Sequence, residues 1–563
     1  MAGQAGKTPA RRGVSGGTLM AYLSLGVVAL LVLPVLVILG SLLRPAPAVW
    51  SHLLETVLGR YVTNSLLLGL GVGIGTVLIG VSTAWLVTAC RFPGSRWLTW
   101  GLVLPFAAPA YILAYAYTDL LEAYNPLQIT VRAWLGLPPG VGFWQVRSLP
   151  GAIAMLTLAL YPYVYLLARV AFLEQSGAIL EAGRSLGCGP WRGFGRLALP
   201  LARPAVTAGV ALALMEALAD FGTVQYFGVD TFTTGIYRTW YGLGERQAAT
   251  QLAACLLLAV LGLLLLERWS RRQIETRVAA QPPASPYRLR GWRAIGAGLV
   301  CFLPIALGFI IPAAALLHLT LEQGWTAWDD RFWSYARHSA ILGGLSAALA
   351  VGLALLLAYQ ERLRPAAWVQ GLNQLAGMGY AVPGSVVAVG VLIPLGRFDN
   401  WLDSWMLTHW GWGTGLLLSG TLVALVFAYL VRFMAPALGT VTSGLGKIQP
   451  SLDDAARSLG SGPAATLVQV HLPLLMNSLI TAAMVVFVDV VKELPATLII
   501  RPFNFDTLAV RVYTLAADER LAEAAAPSLA IVLVSMIPVI VLQQALNGRR
   551  PAAAQGVQDA WVP

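Results

Sequence analysis

Charge is scarce in this chain. Asp, Glu, Lys and Arg make up 11% of its 563 residues, too few to coat a soluble domain of that size, while 57% of the residues are hydrophobic. Cysteine is nearly missing too. Cys90, Cys188, Cys255 and Cys301 form no CxxC pair and have no histidine at metal spacing, so they read as small buried side chains, not as a disulfide or metal framework. The histidines His52, His318, His338, His409 and His471 are scattered, with no HExxH or similar pattern, which argues against a membrane enzyme. No GxxxxGK[ST] phosphate loop occurs; SGLGK at 443–447 lacks the first glycine's spacing and a following Ser or Thr, so nothing here cradles ATP phosphates. The net charge of +11 does not point to nucleic acid, because the basic residues are spread between apolar runs.

Long apolar runs are what the chain has in abundance. A helix needs about 20 mostly apolar residues to cross the hydrocarbon layer. Twelve segments qualify: 18–43, 62–89, 97–121, 150–172, 203–223 and 248–266, then 294–319, 337–359, 368–395, 413–433, 475–491 and 525–545. The expected fold is an all-α polytopic protein in membrane lipid. Lys7, Arg11 and Arg12 precede the first run as in a signal peptide, but the run is too long and no clear cleavage site follows, so it reads as a retained helix. With the N-terminus inside and sides alternating, about two thirds of the 37 Lys and Arg fall inside, which puts both termini in the cytoplasm.

The polar punctuation is written twice. EAGRSLGCGPWRGFGRLALP (181–200) and DAARSLGSGPAATLVQVHLP (454–473) share nine of twenty positions at an offset of 273. At that offset Glu216 meets Asp489, Asp220 meets Glu493, Phe232 meets Phe505 and Arg238 meets Arg511; at 274, Asn64-Ser65 meets His338-Ser339 and Pro109 meets Pro383. The chain therefore reads as two homologous six-helix halves in parallel orientation. The first is 1–266 with a core of about 60–266, the second 294–563 with a core of about 335–545, and a basic cytoplasmic linker, 267–293, joins them. Such repeats place a transport path at the interface between halves. Each duplicated stretch should form a cytoplasmic helical hairpin: helix over 176–187, turn at Gly189-Pro190, second helix over 191–199 stopped by Pro200. Gly187 and Gly460 close the first helix of each hairpin. Ala182 and Leu186 share an apolar face, while Arg184 and Arg192 point elsewhere. One rigid hairpin per half suits docking to a two-fold partner.

These stretches resemble the EAA loop of binding-protein-dependent ABC importer permeases. The match stands as Glu181, Ala182, Gly187, Leu197, Leu199 and Pro200, and again as Asp454, Ala455, Ala456, Gly460, Val470, Leu472 and Pro473. Gly183 in place of the second Ala, and Asp454 in place of Glu, are departures. The resemblance covers roughly 60–266 and 335–545 and leaves spans one and seven as the extra helix of each half. It implies the type I ABC importer permease fold, with each loop as the coupling helix for one of two copies of a separate ABC ATPase. ATP and Mg would then be bound by that partner, and this chain would carry no cofactor of its own. The permease would receive its cargo from a soluble binding protein at the bacterial cytoplasmic membrane.

PFAAPAYILAYAYTD (105–119), EALADFGTVQYFGVDTFTTGIYRTW (216–240) and KELPATLIIRPFNFDTLAVRVY (492–513) resemble the ferric-iron group of fused permeases, which implies an iron-binding protein as partner. Fe(III) prefers carboxylate and phenolate oxygen. Tyr111, Tyr115 and Tyr117 lie along one span, Tyr161, Tyr163 and Tyr165 along another, and Glu216, Asp220, Asp489 and Glu493 stand near the outer ends of spans five and eleven with Lys492 beside them. An ionisable group at membrane depth faces a cavity or a partner. The acids read as structural ion pairs or contacts for the binding protein ahead of direct ligands, the tyrosines as interfacial belt residues ahead of a metal path, and a metal site is left open. Charges flanking the spans, Arg238, Glu245 and Arg246 in one half and Arg501, Asp506 and Arg511 in the other, are candidates for orienting that protein. Thiamine, an aminophosphonate or a polyamine remain alternative cargoes. A twelve-helix secondary transporter of the major facilitator type is the alternative class, but RFPGSR (91–96) is only a short turn where that class carries a basic loop, and it leaves the hairpins unexplained.

Overall fold

The computed structural model describes residues 16–44, 47–122, 125–136, 145–175, 181, 183, 185–186, 188–272, 287–324 and 328–547. Among these, eleven helices are long and apolar enough to cross a membrane, and a bent pair makes a twelfth. The first half contains α1 (Gly16–Gly40), α2 (Leu58–Ala89), α3 (Ser95–Gly101), α4 (Ala110–Leu121), α5 (Leu149–Glu174), α6 (Leu199–Ala219), α7 (Gly222–Tyr226), α8 (Phe232–Tyr237) and α9 (Arg246–Arg272). The second contains α10 (Trp292–Ile305), α11 (Ile311–Gln323), α12 (Asp330–Leu363), α13 (Ala367–Gly377), α14 (Gly384–Trp410), α15 (Leu422–Leu445), α16 (Pro450–Ser458), α17 (Leu472–Val491), α18 (Pro495–Ile500), α19 (Leu508–Ala517) and α20 (Leu521–Asn547). The strands among the described residues are β1 (Cys90–Arg91) and β2 (Tyr287–Arg288), paired in parallel, which ties the end of segment 267–293 to the loop after α2.

The third span is not the single helix expected over 97–121. Its two pieces, Ser95–Ala107 and Ala110–Leu121, meet at 94°. Proline disfavours helical backbone in the residue before it, and Ala108, just before Pro109, is extended (ψ 109°). The matching span 368–395 also divides: Val382 is extended (ψ 126°) before Pro383, and α14 then runs to Trp410, well past 395. The tenth span accordingly starts at Leu422 and not at 413, because Gly411, Gly415 and Gly420 adopt positive φ in the intervening turn.

Pro200 does not end a helix either. The chain passes from a π-turn at Phe194–Ala198 straight into α6, and from a π-turn at Leu467–His471 straight into α17. A wider turn upstream relieves the clash between a proline ring and the carbonyl four residues back, so Pro200 and Pro473 sit in the first turn of a long span.

Lipid is as apolar as leucine, so spans hold together by close packing and favour small residues at contacts. A Cβ on Gly80 would lie 2.8 Å from the Val164 Cβ, and one on Gly209 would lie 2.7 Å from the Val164 Cα, so α2 and α6 close on α5 from two sides. The extra helices are exchanged between halves. Helix α1 packs on α12, α13 and α14, while α10 and α11 pack on α2, α3 and α4. Gly390 of α14 receives α1: a Cβ there would lie 2.6 Å from Ile38 Cδ1 and 2.8 Å from the Pro34 carbonyl oxygen. Overpacking a close contact costs about 1–3 kcal/mol. We expect Gly390→Val to lower the melting temperature of the detergent-solubilised protein, and Gly396→Ala on the same helix, which meets nothing within 4 Å, to leave it unchanged.

Candidate functional site

Spans five and eleven both break where their acids stand. Asp220 follows α6 and caps α7, its Oδ1 accepting from the backbone N–H groups of Thr223 (3.0 Å) and Val224 (3.1 Å). Glu493 follows α17 and caps α18, its Oε1 accepting from the Ala496 N–H at 3.1 Å. A carboxylate suits the positive end of a helix, so the repeat uses the same device twice. Beyond this point the second half carries three extra residues. Ser65 Oγ accepts from the Phe232 N–H, and Ser339 Oγ accepts from the Leu508 N–H. The structural partners are therefore Phe232 with Leu508, and the expected pairings of Phe232 with Phe505 and Arg238 with Arg511 are displaced by that insertion.

The two breaks face each other across a cavity of about 130 Å³ between the halves. Glu216, Asp220, Asp489, Lys492 and Glu493 line it, as the sequence had gathered them, and Arg432 of α15 joins them. Lys492 Nζ lies 2.8 Å from Asp489 Oδ1. Arg432 Nε lies 3.3 Å from Glu493 Oε2, its Nη2 3.9 Å from Glu216 Oε2, and its Nη1 donates to the Val382 carbonyl at 3.3 Å. That carbonyl belongs to the broken span. Gly384, the first residue of α14, has no side chain because a Cβ would collide with Glu493 and lie 2.9 Å from Arg432 Nη1. Glu493 and Arg432 are each only 6% exposed, so this pair is interior and not part of a rim. Two bases against four acids leave the lining with an acidic excess. Both bases come from the second half; the first-half wall offers Glu216, Asp220 and the phenols of Tyr111 and Tyr163.

Tyr111 and Tyr115 share a helix face, with ring centroids 5.8 Å apart, and stand one turn apart along it, while Tyr117 points to another side. Tyr111 reaches the cavity and donates to the Lys492 carbonyl at 3.4 Å, whereas Tyr115 packs edge-on against Tyr226 and Tyr117 donates to the Leu307 carbonyl at 2.6 Å. Likewise Tyr163 faces the cavity, while Tyr161 and Tyr165 lie in a separate apolar cluster with Cys90 and Cys301. Tyr380, on the opposite wall, was not singled out by its sequence context. Among the described residues no group of three or more His, Cys, Asp or Glu is arranged to hold a metal ion. The loop charges are engaged within the chain: Arg238 pairs with Asp230, Arg501 with Asp506, Arg246 lies over Trp240 and Arg511 over Tyr335.

The hairpin at 454–473 is defined throughout. Gly460 has φ +80° and ends α16 with a Schellman motif: its N–H donates to the Arg457 carbonyl (3.0 Å), and the Ser461 N–H donates to the Ala456 carbonyl (3.0 Å). The first hairpin repeats the second of these bonds, Cys188 N–H to the Gly183 carbonyl at 2.9 Å. At Gly183, where the family has alanine, a Cβ would lie 2.5 Å from Leu197 Cδ1 on the opposite arm. Ala182, Arg184 and Gly187 lie outside the described residues. Leu186 and its counterpart Leu459 are both 86% exposed, the same apolar knob on two hairpins. Each hairpin is anchored differently. His471 Nε2 and Arg362 Nη2 hold the two oxygens of Asp453 at 2.6 and 2.7 Å, and Tyr359 donates to the Pro463 carbonyl at 2.7 Å. In the first half Trp85 packs edge-on against Phe172 and tilted against Phe194, with ring centroids 5.5 and 5.1 Å apart. The sequence reading missed the polar anchor, because its members are spread over three helices.

Some curated relatives match along both halves of the repeat and others over about one half or less. The chain is 25% identical to the Fe(3+)-transport system permease protein FbpB 2 of Haemophilus influenzae, over 86% of this chain and 90% of the relative. It is 22% identical to the ferric transport system permease protein FbpB of Actinobacillus pleuropneumoniae, over 81% of this chain and 66% of the relative. The molybdenum transport system permease protein ModB of Escherichia coli is 28% identical over 34% of this chain and 84% of its own. The ferric permeases match along most of this chain, and the shorter ModB over about a third of it. The profile of the family described as binding-protein-dependent transport system inner membrane component matches residues 13–279 and 350–550, in both halves, and this chain belongs to that family of ABC transporter permeases.

Proposed function

We propose that this chain is the membrane-spanning subunit of an ATP-driven importer of ferric iron, with both termini in the cytoplasm. A soluble iron-binding protein delivers the cargo, and two copies of an ATPase subunit dock on the hairpins at 181–200 and 454–473. The observation that carries the cargo assignment is the similarity to a ferric permease over 86% of the chain. The cavity supports it chemically. Four carboxylates against two bases favour a cation over an oxyanion, and carboxylate and phenol oxygens on the first-half wall suit a hard trivalent ion. The equal exposure of Leu186 and Leu459 supports docking of two identical partners.

Deleting the chain should abolish high-affinity accumulation of radiolabelled ferric iron and slow growth when iron is chelated, while thiamine and polyamine uptake stay normal. Normal iron accumulation together with a thiamine or aminophosphonate defect would replace the cargo and leave the permease reading intact.

A further inference from the structure

We propose that Arg432 is a latch that holds the two halves closed around the cavity by way of Glu216. The second half grips this guanidinium on two sides, with the Val382 carbonyl 3.3 Å from Nη1 and the Glu493 carboxylate 3.3 Å from Nε. Its remaining edge reaches across the interface to Glu216 of α6, 3.9 Å away. Glu216 has no base from its own half in the cavity. The position 273 residues before Arg432 is Ala159, so the latch has no symmetry mate. The other cross-half ion pair among the described residues, Arg147 with Glu519, is exposed at both ends and contributes little.

Alternating access parts the halves around the site between them. Arg432 is fixed to one half and Glu216 to the other, so separation stretches this pair, the buried cross-half ion pair among the described residues. Closed, the pair neutralises Glu216. Open, it frees that carboxylate to face the cavity. The latch makes opening depend on something that compensates for the lost pair, and thereby links the ATPase stroke to a loaded transporter. Arg432 acts here as a positioning residue.

This inference rests on the importer reading, and the test separates the two. The complete transporter, with ATPase and binding protein, is reconstituted in proteoliposomes; ATP hydrolysis is measured with and without iron-loaded binding protein, and iron import per ATP alongside. Arg432→Gln and Glu216→Gln should each raise hydrolysis without binding protein roughly five- to tenfold, within the usual range of coupling between sites, and lower iron imported per ATP. Their combination should add nothing further, and Arg432→Lys should restore part of the control. Glu216→Gln leaves Arg432 its Glu493 partner, so it serves even where Arg432→Gln lowers abundance. Wild-type hydrolysis and import ratio in Glu216→Gln, or additive effects in the double variant, would overturn the latch. A wild-type complex indifferent to the binding protein would remove the importer reading, and the latch with it.

Discussion

Gly460→Val should abolish ATP-driven uptake while the protein still inserts at normal abundance. At φ +80° a β-branched residue is strained by about 1–3 kcal/mol. The strain is relieved by unwinding the last turn of α16, which gives up the Arg457–Gly460 and Ala456–Ser461 bonds. That turn carries the exposed knob Leu459, so its loss would remove the surface by which, in the proposed coupling, this hairpin docks on the ATPase. Asparagine tolerates left-handed backbone, so Gly460→Asn should retain most of the uptake. The comparison is iron uptake per immunodetected permease, with co-purification of the ATPase as a second reading. Equal activity of the valine and asparagine variants would show that the turn's geometry is irrelevant to coupling.

A second large effect is expected on stability. Glu493→Gln keeps a cap for α18, since the amide oxygen can still accept from Ala496 N–H, but it strips Arg432 of its nearest counter-charge. Breaking one side of a buried pair costs about 3–5 kcal/mol, whereas replacing both sides with neutral groups is often nearly free. Glu493→Gln should therefore unfold at clearly lower temperature in detergent, and adding Arg432→Met to the same chain should recover most of the loss. If the double variant is no more stable than the single one, the unpaired guanidinium is not the cause.

Much of this was legible because duplication writes its own alignment. The second GP turn with Gly460 before it marked the hairpin at 454–473, and the acids at a shared offset marked four of the cavity's six charged residues, but the stop expected at Pro200 is not there. The register failed where three residues entered one half only, since an ungapped offset cannot follow an insertion. Broken spans went unseen although Pro109 and Pro383 were paired, because hydropathy sums are blind to backbone direction. Arg432 was available as a lone base inside the apolar run LVALVFAYLVRF, which alone marks a functional candidate. Tyr380 and the Arg362–Asp453–His471 anchor carried no local signal; they are made by tertiary contact.

The exchange of extra helices has a consequence for how the protein is born. Helix α1 leaves the ribosome well over 300 residues ahead of its packing partner α14. At 5–20 residues per second the interval is on the order of 20–70 s. Throughout that time Val28, Leu31 and Ile38, buried in the finished protein, must be solvated by lipid or held by an insertion chaperone. A ribosome stalled before α14 emerges would leave the first half inserted but its α1 undocked, a state in which quality-control proteases can tell an unfinished permease from a finished one.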